Sequence, residues 1–123
     1  MKKWKKNLVA GAVLLTVCGG LLNAEDIEIE IEKNAKSRIG SIGCSKLLVE
    51  LRSGHKFFKR RTNGILTVKT EIEGDEIEIE YVVCPRVSGR TVTVGEGCEI
   101  ELLQYSEQYE IHEKAKVGRI EKI

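Results

Sequence analysis

The chain has 123 residues, of which 20 are Lys or Arg and 19 are Asp or Glu, and its formal net charge is +1. That length supports one domain with a single small core. That charge excludes a protein held to nucleic acid or to an anionic membrane by bulk electrostatics, so any such binding needs a local patch.

At the amino terminus Lys2, Lys3, Lys5 and Lys6 precede an uncharged, mainly apolar run over residues 8–22, and Asn23-Ala24 follows. A basic segment, an apolar segment and a small residue before a charged one are the three parts of a secretory signal peptide. The expected organisation is a signal peptide over residues 1–24 and a single β-rich domain over residues 25–123. The run is shorter than the roughly 20 residues of a spanning helix, and no later stretch could span a bilayer. Leu15-Thr16-Val17-Cys18 resembles the lipobox of bacterial lipoproteins, although Val17 stands where that motif has a small residue. The alternative is therefore a membrane-anchored lipoprotein acylated at Cys18. Both routes export the protein beyond the cytoplasmic membrane, to the periplasm or outside the cell. Cleavage after Ala24 would remove four basic residues and no acidic one, leaving a net charge of about −3.

Past residue 25, Ile and Val dominate the apolar residues and alternate with Glu, Lys and Thr, a composition that favours strands. The first expected strand spans residues 26–33, with Ile27, Ile29 and Ile31 on one face and Glu28, Glu30 and Glu32 on the other. A connection over residues 34–45 leads to a second strand over residues 46–52, alternating through Leu47, Val49 and Leu51. Ser53-Gly54 marks a reversal. Residues 56–61 form a short strand or loop of unfixed register.

Residues 66–84 read as a β-hairpin. Leu66, Val68, Thr70 and Ile72 enter, Ile77, Ile79, Tyr81 and Val83 leave, and Gly74-Asp75 supplies a two-residue turn that sets Ile72 opposite Ile77. The outer face then places Lys69 opposite Glu80 and Glu71 opposite Glu78, which requires solvent. A turn-rich connection over residues 85–89, a strand over residues 91–94, a turn at Gly95-Glu96-Gly97 and a strand over residues 98–105 follow. A last strand is expected over residues 108–113, with a short helix over residues 106–119 as its alternative. Seven to eight short strands without intervening helices predict an all-β fold, an antiparallel β-sandwich or barrel. One faint internal similarity, between residues 31–39 and 111–120, is too short to mark a repeat, and no solenoid period is evident.

Three cysteines follow residue 25, in a compartment where disulfides persist. Strand parity favours a Cys44–Cys84 bridge and turns Cys98 inward as a free thiol, with Cys84–Cys98 as the other pairing. No two of Cys44, Cys84, Cys98, His55 and His112 have the short spacing of a zinc knuckle. The acidic turn of Glu71, Glu73, Asp75, Glu76 and Glu78 lacks the spacing of a calcium loop and reads as a solvated face. No metal or other cofactor is expected.

The most distinctive composition is the run from Arg52 to Arg61, which carries Arg52, His55, Lys56, Lys59, Arg60 and Arg61 around Phe57 and Phe58. Such side chains can pair phosphate or sulfate oxygens while the rings rest on a glycan or acyl group. The alternative is that a Phe fills the core and the charges protect a strand edge. No nucleophile motif, phosphate-cradling loop or distinctive carboxylate pair marks an enzyme. The expected function is a non-enzymatic secreted or periplasmic binding or structural module that contacts an anionic ligand, surface glycan or lipid headgroup through this basic loop. The alternative is a small extracytoplasmic hydrolase or thiol-redox protein. Sequence leaves the oligomeric state open.

Overall fold

In the computed structural model, residues 6–9, 20–31, 36–51 and 64–123 are described, the first of these by backbone alone. They form ten strands: β1 (Lys6–Val9), β2 (Leu21–Asn23), β3 (Asp26–Ile31), β4 (Lys36–Gly43), β5 (Lys46–Leu51), β6 (Ile65–Glu73), β7 (Glu76–Ile79), β8 (Val82–Val94), β9 (Glu99–Ile111) and β10 (Lys116–Lys122). The all-β expectation holds, but every pairing between these strands is parallel. The fold is a β-solenoid of about five turns, so the antiparallel sandwich or barrel is overturned.

The chain winds as a coil. β2 and β3 make one turn, β4 and β5 the next, then β6 and β7, then β8 alone, then β9 alone, with β10 opening a further turn. Ile77 pairs with Val92, Val83 with Glu99 and Thr91 with Gln108, so a complete coil in the later part of the chain takes fifteen to seventeen residues, while the earlier step from Ile27 to Leu47 takes twenty.

Within β8 the buried residues are Val82, Cys84, Val87, Gly89, Val92 and Val94. Two inward residues alternate with one outward, then two outward residues turn a corner, and this rhythm bends each coil into three short sides. The same positions in the second coil are Ser37, Ile39, Ile42, Cys44, Leu47 and Val49, and in the third Leu66, Val68, Ile72, Gly74, Ile77 and Ile79.

Corners carry a recurrent hydrogen bond in which one carbonyl accepts two successive N–H groups from the coil above. Glu25 O accepts from Ser45 N and Lys46 N, Ser45 O from Asp75 N and Glu76 N, and Asp75 O from Arg90 N and Thr91 N, all at 2.9–3.0 Å. Backbone polar groups are thereby satisfied where the strands bend.

This corner replaces the expected hairpin. Gly74-Asp75 turns the chain from one side of the coil to the next, and Ile72 stacks between Ile42 and Val87 while Ile77 stacks between Leu47 and Val92. Ile72 therefore does not face Ile77, nor Glu71 Glu78. Residues 85–89 and 91–94, expected as a loop and a separate strand, both lie in β8, and residues 106–119 are divided between β9 and β10 without a helix. The absence of a solenoid period is likewise corrected. Alternation within strands is retained, since Ile27, Ile29 and Ile31 are buried.

The core consists of columns of Ile, Val and Leu running along the solenoid axis, such as Ile27–Leu47–Ile77–Val92 and Ile29–Val49–Ile79–Val94. Successive coils sit ~4.8 Å apart, which brings each β-branched side chain onto its equivalent in the next coil.

Candidate functional site

The six basic-loop residues, Arg52, His55, Lys56, Lys59, Arg60 and Arg61, lie outside the described residues. Their place in the coil sequence is nevertheless defined. Ile79 is followed at once by Tyr81 and Val82 on the next coil, whereas Val49 and Leu66, which occupy the equivalent positions one coil earlier, are separated by residues 50–65. Residues 52–63 are thus an insertion that the coil does not require.

Beside the end of β5, from which this insertion departs, the outer face is acidic. Glu30 pairs with Glu50 in register, and Leu51 N donates to Glu80 Oε1 at 3.2 Å. The Glu50 carboxyl is raised above its ordinary value by partial desolvation and then by the charges of Glu80, Glu28, Glu30 and Glu78. Like charges stacked at strand spacing disfavour ionisation.

On the corner between the first two sides, a polar ladder crosses four coils. Arg86 Nη1 donates to Glu71 Oε1 at 2.8 Å and Arg86 Nε to Gln104 Oε1 at 3.1 Å. Gln104 Nε2 then donates to Glu121 Oε1 at 3.3 Å, and Arg119 Nη2 to Glu121 Oε2 at 2.6 Å. Glu121 is held below its ordinary carboxylate value by the Arg119 and Gln104 hydrogen bonds. Sequence reasoning missed this ladder, because its members become neighbours only once the chain is wound with a period near sixteen.

The three thiols are unbonded. Cys44 occupies a corner, where Cys44 N donates to Glu73 O at 3.0 Å and Gly74 N in turn to Ser88 O at 3.1 Å, so Cys44, Gly74 and Gly89 stack in one column. Cys84 lies on the preceding side and two coils away from Cys44. Two coils alone separate them by ~10 Å, beyond the ~7 Å limit between the α-carbons of a bridge. The expected Cys44–Cys84 disulfide is therefore not formed. Cys84 pairs in register with Ile100, which places Cys98 two residues earlier, just before the adjacent strand β9. Cys98 is buried, with its Sγ 3.5 Å from Ile79 O, and the Cys84 thiol donates to Arg86 O at 3.1 Å.

Burial pushes all three thiols up, Cys44 to about 11 with added repulsion from Asp26 and Asp75, Cys84 to about 12 and Cys98 to about 11, from an ordinary 9.0. Because the folded state holds these protons more tightly than the unfolded chain, the stability they contribute is complete below pH 9 and is lost as pH rises toward 11–12. Urea midpoints should be level between pH 7 and 8.5 and fall between pH 9 and 11. A thiol reagent at pH 8 should label native protein slowly, Cys44 first, and denatured protein quickly. Rapid native labelling of Cys84 or Cys98 would contradict the packing.

Among the described residues no group of three or more His, Cys, Asp or Glu is placed to hold a metal ion, and no helix is long and apolar enough to cross a membrane. What the described site offers is a stack of polar side chains on flat faces, including the acidic strip of Glu30, Glu50 and Glu80.

Two curated relatives are similar to this chain over most of its length. The chain is 34% identical over 98 residues to the uncharacterized protein YhbE of Bacillus subtilis (strain 168), covering 80% of this chain and 41% of that protein. It is 30% identical over 104 residues to the uncharacterized protein YhbF of the same organism, covering 80% and 42%. The chain thus spans less than half the length of the curated relatives it matches. No family model matches, and no solved structure matches.

Proposed function

We propose that the chain is a non-enzymatic interaction module, exported beyond the cytoplasmic membrane, in which the solenoid serves as a rigid support for a basic anion-contacting loop. The observation that carries this reading is the insertion of residues 52–63 between β5 and β6. The equivalent connections from β3 to β4 and from β7 to β8 take four and two residues, so most of this segment is surplus to the fold, and insertions in repeat architectures map to loops on one face that commonly serve binding. The surplus segment also carries five Lys or Arg in its twelve residues. Arg guanidinium groups and Lys ammonium groups of such a loop pair phosphate or sulfate oxygens, and the acidic strip along Glu30, Glu50 and Glu80 repels the same ligands from the neighbouring face.

Export rests on the signal-like pattern of residues 1–24. Cleavage after Ala24 would remove β1 and β2 and leave β3 as the first strand. Intact-mass measurement of the natively expressed protein distinguishes that product from one acylated at Cys18.

Replacing Lys59, Arg60 and Arg61 with Ser should weaken retention on heparin and binding to vesicles containing phosphatidylglycerol, and salt should weaken binding of the parent. Stability should change by less than about 0.5 kcal/mol. Loss of heparin binding alone identifies a glycan-type partner and loss of vesicle binding alone a lipid headgroup. A parent that binds neither probe rejects the reading.

A further inference from the structure

Outward columns of the solenoid avoid stacking like charges on successive coils, with one exception among the described residues. Asp26, Lys46, Glu76 and Thr91 follow one another in one column, where Lys46 Nζ lies 3.9 Å from Glu76 Oε1. In the next column Leu48 separates Glu28 from Glu78, and Thr93 follows. Elsewhere Glu71 is followed by Arg86 and Glu99 by Lys116. The exception is the strip of Glu30, Glu50 and Glu80. Glu30 pairs with Glu50, and Glu80 stands one residue past the Val49–Ile79 pair, so three carboxylates occupy successive coils.

Glu80 cannot swing clear of this ladder. A Cβ on Gly95, on the coil above, would lie 2.9 Å from Glu80 Cγ, so the stem of Glu80 rests across that glycine. Its carboxylate turns back to the coil below, where Leu51 N donates to Oε1 at 3.2 Å. The charge is thereby held at the height of β5, the strand that carries Glu50. From β3 the facing charges are Glu28 and Glu30, and from β7 and its end Glu78 and Glu80, all acidic. On β5 itself Lys46 is four residues away and paired with Glu76. Past the ladder the next coil presents Thr93 and Gly95, neither charged, and Glu96 beyond them accepts from the Tyr81 hydroxyl.

We propose that the Glu30–Glu50–Glu80 ladder is an acid-responsive seam, which takes up a proton from solvent at Glu50 as pH falls from 7 toward 4.5 and so draws β3, β5 and β7 together where the third side of the coil ends. Protonated Glu50 can donate to a neighbouring carboxylate, which turns repulsion between coils into a hydrogen bond. Partial desolvation first, and then the four carboxylates, raise Glu50 above its ordinary 4.5. The folded state therefore holds this proton more tightly than the unfolded chain does. Its contribution to stability is complete below pH 4.5 and is lost as pH rises through the raised folded value. Glu121 acts in the opposite sense, but its lowered value places that loss below 4.5, outside this window. Glu30 and Glu50 are exposed and Glu80 is half-buried, so water screens part of the repulsion and the response is graded.

Urea unfolding of the full chain between pH 7 and pH 4.5, with and without Glu50→Gln, tests this. At pH 7 the variant's midpoint should lie about 0.2–0.5 M above that of the parent, and the gap should close by pH 4.5. Glu50→Lys, which gives this column the alternation of Asp26, Lys46 and Glu76, should raise the pH 7 midpoint at least as far. In NMR of the side-chain carboxyl carbons Glu50 should titrate above 4.5, and Glu30→Gln or Glu80→Gln should each move that titration down. A constant offset between parent and Glu50→Gln at every pH would reduce the effect to strand preference and overturn the proposal. A lower pH 7 midpoint for either Glu50 variant would overturn it too, as would a Glu50 titration at or below 4.5, the result expected if positive charges of residues 52–63 neutralised the ladder.

Discussion

Ile72→Ala should lower the unfolding free energy by about 2–5 kcal/mol, a large part of the ~5–15 kcal/mol that a small domain possesses. Ile72 is fully buried and packs in register between Ile42 on the coil below and Val87 on the coil above. Truncation removes three methyl or methylene groups and leaves a cavity between two coils whose backbones are fixed by parallel ladders, so little collapse can relieve it. The effect should be shared along the column. Ile72→Ala combined with Val87→Ala, and with Ile42→Ala, should depart from additivity by at least about 0.5 kcal/mol, as contacting residues do. Urea denaturation of the single and double variants measures both quantities. Strict additivity for both pairs would be incompatible with stacked coils, because a local hairpin would place neither Ile42 nor Val87 beside Ile72.

Much of the local structure was legible because burial on one face of a strand writes a period of two into the sequence. Ile27, Ile29 and Ile31, or Ile77 and Ile79, record which way each side chain points whatever the neighbouring strand does. That period does not record the neighbour's direction. A hairpin at Gly74-Asp75 and a coil corner at Gly74-Asp75 bury the same residues, and they differ only in whether the next strand returns beside its predecessor or continues around the coil.

The distinguishing signal is subtler. Inward positions spaced by two and three in alternation, as in Val82, Cys84, Val87, Gly89, Val92 and Val94, mark a corner after each pair. Gly and Cys at those inward positions resemble turn residues or disulfide partners to a reader seeking apolar side chains, which concealed the column of Cys44, Gly74 and Gly89. The insertion of residues 52–63 concealed it further by doubling the interval between Leu47 and its partner Ile77 relative to that between Ile77 and Val92. Parity arguments failed for the same reason. Strict alternation carried on from Glu80 sets Cys84 on the outer side, but the corner at Glu80-Tyr81 resets the alternation and turns Cys84 into the core. The basic run was legible as composition, and its character as an insertion became evident only against the coil length.

The corner at Gly97 allows the sharpest test of backbone geometry. Gly97 has φ of +78°, and a Cβ placed on it would lie 2.2 Å from Tyr81 Cδ1 and 2.4 Å from Cε1. Tyr81, itself at φ of 55°, stacks under this corner from the preceding coil and donates its N–H to Glu96 O at 3.0 Å, while Gly97 N donates to Lys114 O at 3.3 Å. Gly97→Ala therefore combines a left-handed backbone, worth about 1–2 kcal/mol for a residue with a Cβ, with an overlap that forces the ring or the corner to shift at a further ~1–3 kcal/mol. A total loss of about 2–5 kcal/mol is expected. Gly43→Ala is the control, since its Cβ would meet nothing closer than Asn23 Oδ1 at 3.8 Å, and it should change stability by less than about 0.5 kcal/mol. Adding Tyr81→Ala to Gly97→Ala removes the overlapping ring and leaves the backbone term, so the double variant should lose less than the sum of the two single variants. Equal losses for Gly97→Ala and Gly43→Ala in thermal or urea unfolding would show that the ring of Tyr81 does not lie beneath Gly97, and that the coils at this corner are not stacked as described.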